Sequence, residues 1–252
     1  MKKYFFCFLI FVGISTAGYA QVDVKDSLLK FTYIAPSYAF QVPGADLAKL
    51  FGTNSNVGLE ILHKTKTNWI YGLQSSYFFS YNLRASAGIL DSIYTQDGYV
   101  IDQNGTYAEI RLSEEGFMIN ALIGKILPLF QVNKNSGVMI TNSIGYMQSK
   151  IKIVVLGNNA YQLSDAYKRG YDRLAAGIDL TQFIGYQYFG NNRFLNFYGG
   201  FEVTEGFTKY VYPYLYDLRE NDTSSKLDLL FGFRVGWVIP FYRNISNRFY
   251  YY

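Results

Sequence analysis

Between residues 195 and 207 the chain sorts its side chains into two rows. Leu195, Phe197, Gly199, Phe201, Val203 and Phe207 fall on one side of an extended strand, and Asn196, Tyr198, Gly200, Glu202 and Thr204 on the other; Glu205 is the one charge on the apolar side. Only the two-residue period of a β-strand separates rows in this way, because successive side chains point to opposite faces. The run is about twice the usual strand of roughly 5–6 residues. A strand tilted across a bilayer needs about 9–11 residues, apolar toward lipid and polar toward the interior. Such a strand needs enough partners of its own kind to close a barrel, since hydrocarbon leaves the hydrogen bonds of an open sheet edge unmade.

The same period recurs, giving eight expected strands near 28–40, 55–63, 68–82, 116–127, 136–148, 171–188, 194–208 and 226–239. Trp69, Tyr71, Leu73, Tyr77 and Phe79 oppose Gly72, Gln74, Ser76 and Ser80 in the third, and Leu227, Leu229, Phe231, Phe233, Val235 and Trp237 oppose Asp228, Gly232, Arg234 and Gly236 in the eighth. Pro36 blurs the first, because it has no N–H for a ladder. The intervening links at 41–54, 83–115, 149–170 and 209–225 are long, and those at 64–67, 128–135 and 189–193 are short. This alternation is that of an all-β, eight-stranded antiparallel up-and-down transmembrane barrel with long extracellular loops and short periplasmic turns. Within the longest link, 89–94 and 99–101 read as projecting strands, with hairpin tips at Asp97-Gly98 and Asn104-Gly105. In the first link, 45–51 before Gly52 reads as a short helix.

The chain begins with Lys2 and Lys3, an apolar run, and small residues Gly18 and Ala20, the pattern of a secretory signal peptide over 1–20 that leaves 21–252 as the barrel domain. Cys7, the one cysteine, falls inside that segment, so the mature chain is expected to hold no disulfide and no cysteine metal site. Loss of Lys2 and Lys3 brings the formal charge from +4 to +2, too near balance to imply a nucleic-acid partner. The 25 tyrosines and 21 phenylalanines suit a barrel with aromatic girdles better than an aqueous domain.

On these strands, the signal peptide and the Tyr- and Gly-rich composition, the chain resembles the small eight-stranded outer-membrane barrels typified by the OmpA transmembrane domain and OmpX, in the form common in Bacteroidota. The resemblance is architectural and covers the whole mature chain. It implies an outer-membrane location, lipid and lipopolysaccharide as surroundings, and an aromatic assembly signal, carried either by the strand reaching Trp237 and Ile239 or by residues 249–252.

Five charges fall on the inward rows: Glu60, Asp179, Glu202, Asp228 and Arg234. Eight strands enclose a space that side chains just fill, so these groups must pair, and Glu202 needs Arg234 or a similar partner. They read either as a lumen plug of ion pairs or as a gated path through an Arg234 cluster. Trp69 and Trp237 read as an interfacial aromatic belt at the periplasmic rim. His63, the one histidine, stands beside a short turn, on the wrong side for a barrel enzyme that acts at the outer rim, and one histidine makes no histidine-rich metal site. Asp165, Lys168, Arg169, Asp172 and Arg173 read as a solvated or lipopolysaccharide-facing rim, or as a protein-docking patch. No catalytic, cofactor or metal site is expected. The expected role is that of a non-enzymatic envelope component acting through loops or lateral contacts with envelope proteins, with a surface adhesin, a narrow gated channel and a lipid-A-modifying enzyme as alternatives.

Overall fold

Alternating rows build long strands when each row has a different environment to face, and eight such strands form the wall. The computed structural model describes residues 28–84, 88–130, 132–158, 160–190 and 195–241. The strands are β1 (Phe31–Ala45), β2 (Asn54–Lys64), β3 (Trp69–Ser80), β4 (Ile110–Leu127), β5 (Gly137–Val155), β6 (Ala175–Phe189) and β7 (Asn196–Tyr210). A two-residue pair, β8 (Tyr214–Leu215) and β9 (Glu220–Asn221), lies outside the wall, and β10 (Lys226–Trp237) with its continuation β11 (Ile239–Phe241) completes it. Neighbours in the wall pair antiparallel in chain order, and β10 and β11 close onto β1. The amino-terminal 1–20 segment, Asn191-Asn192 and 249–252 lie outside the described residues.

The ladder fixes the shape of the tube. Followed from partner to partner, Ala35, Glu60, Gln74, Asn120, Gly145, Asp179, Gly206 and Asp228 return to β1 at Ala45, a stagger of ten residues. Such a shear tilts strands by about 35–45° and leaves an interior that side chains fill. Where the wall closes, β1 pairs with β10 as far as Ser37 and with β11 from Ile34, and Pro36 stands at the break with no N–H to give.

The rows face as the period requires. Phe197, Phe201 and Phe207 point outward, and Asn196, Tyr198, Glu202, Thr204 and Thr208 are buried inside. Leu73 is 60% exposed and Phe201 66%, while Glu60 is 1% exposed. The tube is therefore apolar outside and polar inside at mid-height. Two buried apolar clusters close it: Phe31, Tyr33, Leu62, Ile126, Phe183 and Phe189 belong to that of the turn end, and Phe51, Phe78, Leu90, Met118, Met147 and Ile151 to that of the loop end.

Two expectations are corrected. The first loop-end link is only 46–53, because β1 runs on to Ala45 and leaves room for little beyond a helix over Leu47–Leu50; it is no longer than the turn-end link 128–136. Residues 89–94 and 99–101 are not projecting strands. The projection is the upper part of β4 and β5, paired from Ile110↔Val155 downward, and the 81–109 loop folds over its inner face with Ile89, Leu90 and Val100 buried. The two tips do turn where expected, with Gly98 at φ +79° and Gly105 at φ +75°, a conformation that favours glycine.

Candidate functional site

At mid-height the lumen holds a charge cluster drawn from four strands. Arg234 Nη1 on β10 lies 3.3 Å from Glu202 Oε2 on β7 and 3.5 Å from Glu60 Oε1 on β2. The Tyr198 hydroxyl donates to Glu60 Oε1 at 2.6 Å, and Gln41 Nε2 donates to Glu202 Oε1 at 2.8 Å. The guanidinium also sits 4.6 Å from the Phe183 ring centroid and 5.9 Å from that of Tyr198, faces that attract a cation. Gly236 makes this possible: a Cβ there would come within 2.3 Å of the Tyr198 ring. Two carboxylates around one guanidinium carry excess negative charge, so Tyr198 and Gln41 supply donors that a second cation would otherwise provide.

Asp179 and Asp228 do not join this cluster. Asp179 accepts from the Asn120 amide and from Thr181 Oγ1, and Asp228 accepts from Thr208 Oγ1 at 2.6 Å. Sequence reasoning missed Glu114, which is fully buried and accepts from Asn54 Nδ2 at 3.3 and 3.4 Å. It also missed Lys64, which follows Glu60 and Leu62 on the inward row of β2. Lys64 Nζ donates to Leu29 O at 3.1 Å and to Asn135 Oδ1 at 2.9 Å. Asn135 and Ser136 come from the 128–136 turn, which folds into the mouth; Asn133 Nδ2 donates to Phe189 O, and Ser136 Oγ accepts from Phe189 N–H. The turn is a stopper for the lower mouth.

At the other end the loops are tied together. Arg173 pairs with the buried Asp217, and Tyr216 N–H donates to Gly170 O, so the 156–174 and 211–225 loops form one unit. Arg173 is thus no solvated rim group, whereas Arg169 is exposed and lies over the Tyr212 ring at 5.8 Å. The Tyr99 and Tyr107 rings stack at 4.5 Å on the 81–109 loop, both exposed. The Thr106 N–H, aided by Thr106 Oγ1 and the Asn104 N–H, holds Asp102 below the usual carboxylate range. Burial pushes Asp222 up, but hydrogen bonds from Lys226 Nζ and from the Ser224 hydroxyl and N–H outweigh it and set it at about 2.

Trp69 and Trp237 both point outward at the turn end of their strands, and Lys125 Nζ lies 5.3 Å from the Trp69 ring. His63 is at the same end, its Nδ1 3.0 Å from Thr32 Oγ1 and its ring against Tyr71. It is far along the barrel from the loops. On the outer wall, a recess of about 750 Å³ is lined by Pro36, Tyr38, Tyr186, Phe197, Gly199 and Trp237, where the closing ladder breaks.

These features define a class: a closed eight-stranded antiparallel barrel, apolar outside, with a plugged and charge-paired lumen. No protein-family model and no curated protein matches the sequence. Among solved structures, the chain is similar to Neisserial surface protein A (8% identity, TM-score 0.46, 83% of this chain and 97% of that one). It is similar also to Ail, the attachment invasion locus protein of Yersinia pestis (12%, TM-score 0.39, 83% and 97%), and to the N-terminal β-barrel domain of Pseudomonas aeruginosa OprF (11%, TM-score 0.39, 83% and 99%).

Proposed function

We propose that this chain is an integral outer-membrane β-barrel and a non-enzymatic component of the cell envelope, exported by a cleaved signal peptide over 1–20, whose working surfaces are its loops and outer wall. One observation carries the reading: large apolar side chains cover most of the exterior at mid-height, while Glu60, Asp179, Glu202, Asp228 and Arg234 lie within. In water this arrangement would leave far more contiguous apolar surface than a soluble monomer exposes; in a bilayer it is the stable one. The apolar clusters at both ends and the stopper turn favour a binding or structural role over solute passage. The OmpA- and OmpX-like resemblance in its Bacteroidota form adds lipopolysaccharide around the loop end, and the position of Trp69 and Trp237 at the turn end of their strands supports reading them as an aromatic belt at the periplasmic interface.

A surface-binding reading has its own support in the exposed Tyr99–Tyr107 stack, since tyrosines combine contact area with a polar edge. The test is made on purified protein and on cells. The expected outcome is a heat-dependent gel shift, no discrete conductance in planar bilayers, and protease cleavage of intact cells confined to the 81–109, 156–174 and 211–225 loops. Release of the protein by alkaline washing of membranes would overturn the membrane reading, and steady single-channel steps would overturn the closed lumen.

A further inference from the structure

The outer wall is not uniformly apolar. Asn142 on β5, Gln182 on β6 and Glu205 on β7 all face outward, and each has apolar residues above and below it on its own strand: Ile140 and Ile144, Leu180 and Ile184, Val203 and Phe207. Asn142 is directly paired with Gln182, and Glu205 with Leu180, so Glu205 is the diagonal neighbour of Gln182. None of the three side chains makes a hydrogen bond or ion pair with another described residue. Ser75 on β3, between Leu73 and Tyr77, is also polar and outward, but it is small and stands apart. A polar side chain in hydrocarbon without a partner is costly, and three on adjacent strands form a patch.

We propose that the exterior of β5, β6 and β7 is a self-association face through which two copies of this barrel pair within the membrane, with Asn142, Gln182 and Glu205 hydrogen-bonded across the interface. The proposal rests on the reading that the barrel spans a membrane. Lipid chains offer no hydrogen-bonding group, and a soluble partner does not reach this depth. Two copies inserted in the same sense are related by a two-fold axis along the membrane normal, so the same patch meets itself at one level. The patch suits that symmetry. Each amide carries both donor and acceptor, so Asn142 of one copy matches Gln182 of the other in both directions, and the acceptor Glu205 takes the remaining amide N–H. Inter-segment hydrogen bonds of this kind hold membrane segments together where hydrophobicity gives no preference.

The experiment uses the full chain with Cys7→Ser, expressed in the outer membrane of a Gram-negative host. Ile184→Cys places a thiol beside the patch, and Leu59→Cys on β2 places one on the opposite wall. Oxidation is expected to give a covalent dimer with Ile184→Cys and none with Leu59→Cys. Adding Asn142→Leu and Gln182→Leu to the Ile184→Cys chain should lower the dimer yield about tenfold, with the heat-dependent gel shift unchanged. Equal cross-linking from both walls, undiminished dimer in the leucine chain, monomer throughout, or a cross-link to a different protein would each overturn the proposal. A chain that alkaline washing removes from the membrane would instead sink the membrane reading and this inference with it.

Discussion

Arg234 Nη1 lies 3.3 Å from Glu202 Oε2, inside a wall whose outer face at the same strands is Phe201 and Phe233. The pair is buried on every side, with Arg234 3% exposed and Glu202 4%. Desolvating two charges is expensive, and their attraction repays it only when further hydrogen bonds complete the site. Gln41 on Glu202 and Tyr198 on Glu60 supply such hydrogen bonds on the carboxylate side of the cluster.

The consequence is an asymmetry between breaking the cluster and replacing it. Arg234→Met strands Glu60 and Glu202 and is expected to cost about 3–5 kcal/mol, read as a lower urea midpoint for unfolding from detergent micelles. Combining it with Glu60→Gln and Glu202→Gln should recover most of that loss. A triple variant no more stable than Arg234→Met would show that the cation, and not the balance of charge, holds the site.

Much of this was legible in the sequence, for a physical reason: a wall with lipid-like and lumenal faces imposes strict alternation. Glu202 and Arg234 could be put inside by parity alone. Parity failed where two like residues adjoin. Glu114 and Glu115 break the apolar–polar alternation in the upper part of β4, yet Glu114 turns in to Asn54 and Glu115 turns out to Lys152. The strand therefore begins at Ile110, and the loop before it, rich in Ile89, Leu90 and Val100, is a lid and not a projection. The stopper turn was illegible because Asn133, Asn135 and Ser136 are ordinary turn residues whose inward fold depends on contacts to Lys64 and Phe189, distant in sequence.

Asn135→Ala tests that stopper. It removes the acceptor for both the Leu29 N–H (3.0 Å) and Lys64 Nζ (2.9 Å). Leaving buried donors unmet costs about 1–3 kcal/mol, so the unfolding midpoint should fall and the Leu29 amide should exchange its proton faster. Unchanged exchange at Leu29 would show that the turn does not hold the amino-terminal end in place.

The outer wall answers to a different rule. Leu73 is 60% exposed at mid-strand between Tyr71 and Ser75, and Leu73→Arg should cost about 2–4 kcal/mol for folding into phosphatidylcholine vesicles. Leu218→Arg, on the exposed 211–225 loop, should change that free energy by no more than about 0.5 kcal/mol. Equal costs at the two sites would place Leu73 in water.

The 211–225 loop should resist acid further than an ordinary carboxylate-bonded turn. Asp222 titrates at about 2 in the folded loop, against about 3.9 for an unperturbed aspartate. A carboxyl with a depressed folded pKa contributes stability that is full above the unfolded value and is lost as pH falls through the folded one. The stability that Asp222 gives the loop should therefore be full at pH 5, fall between about pH 4 and pH 2, and be lost below that. The Ser224 amide, which donates to Asp222 Oδ1 at 3.0 Å, reports this directly through its exchange protection. In Asp222→Asn the protection of that amide, relative to an unstructured chain at the same pH, should be lower at pH 5 and show little dependence on pH across that window, because no carboxylate remains to lose. If the wild-type protection instead disappeared between pH 5 and pH 4, the Lys226 and Ser224 hydrogen bonds would not be holding the charge in solution.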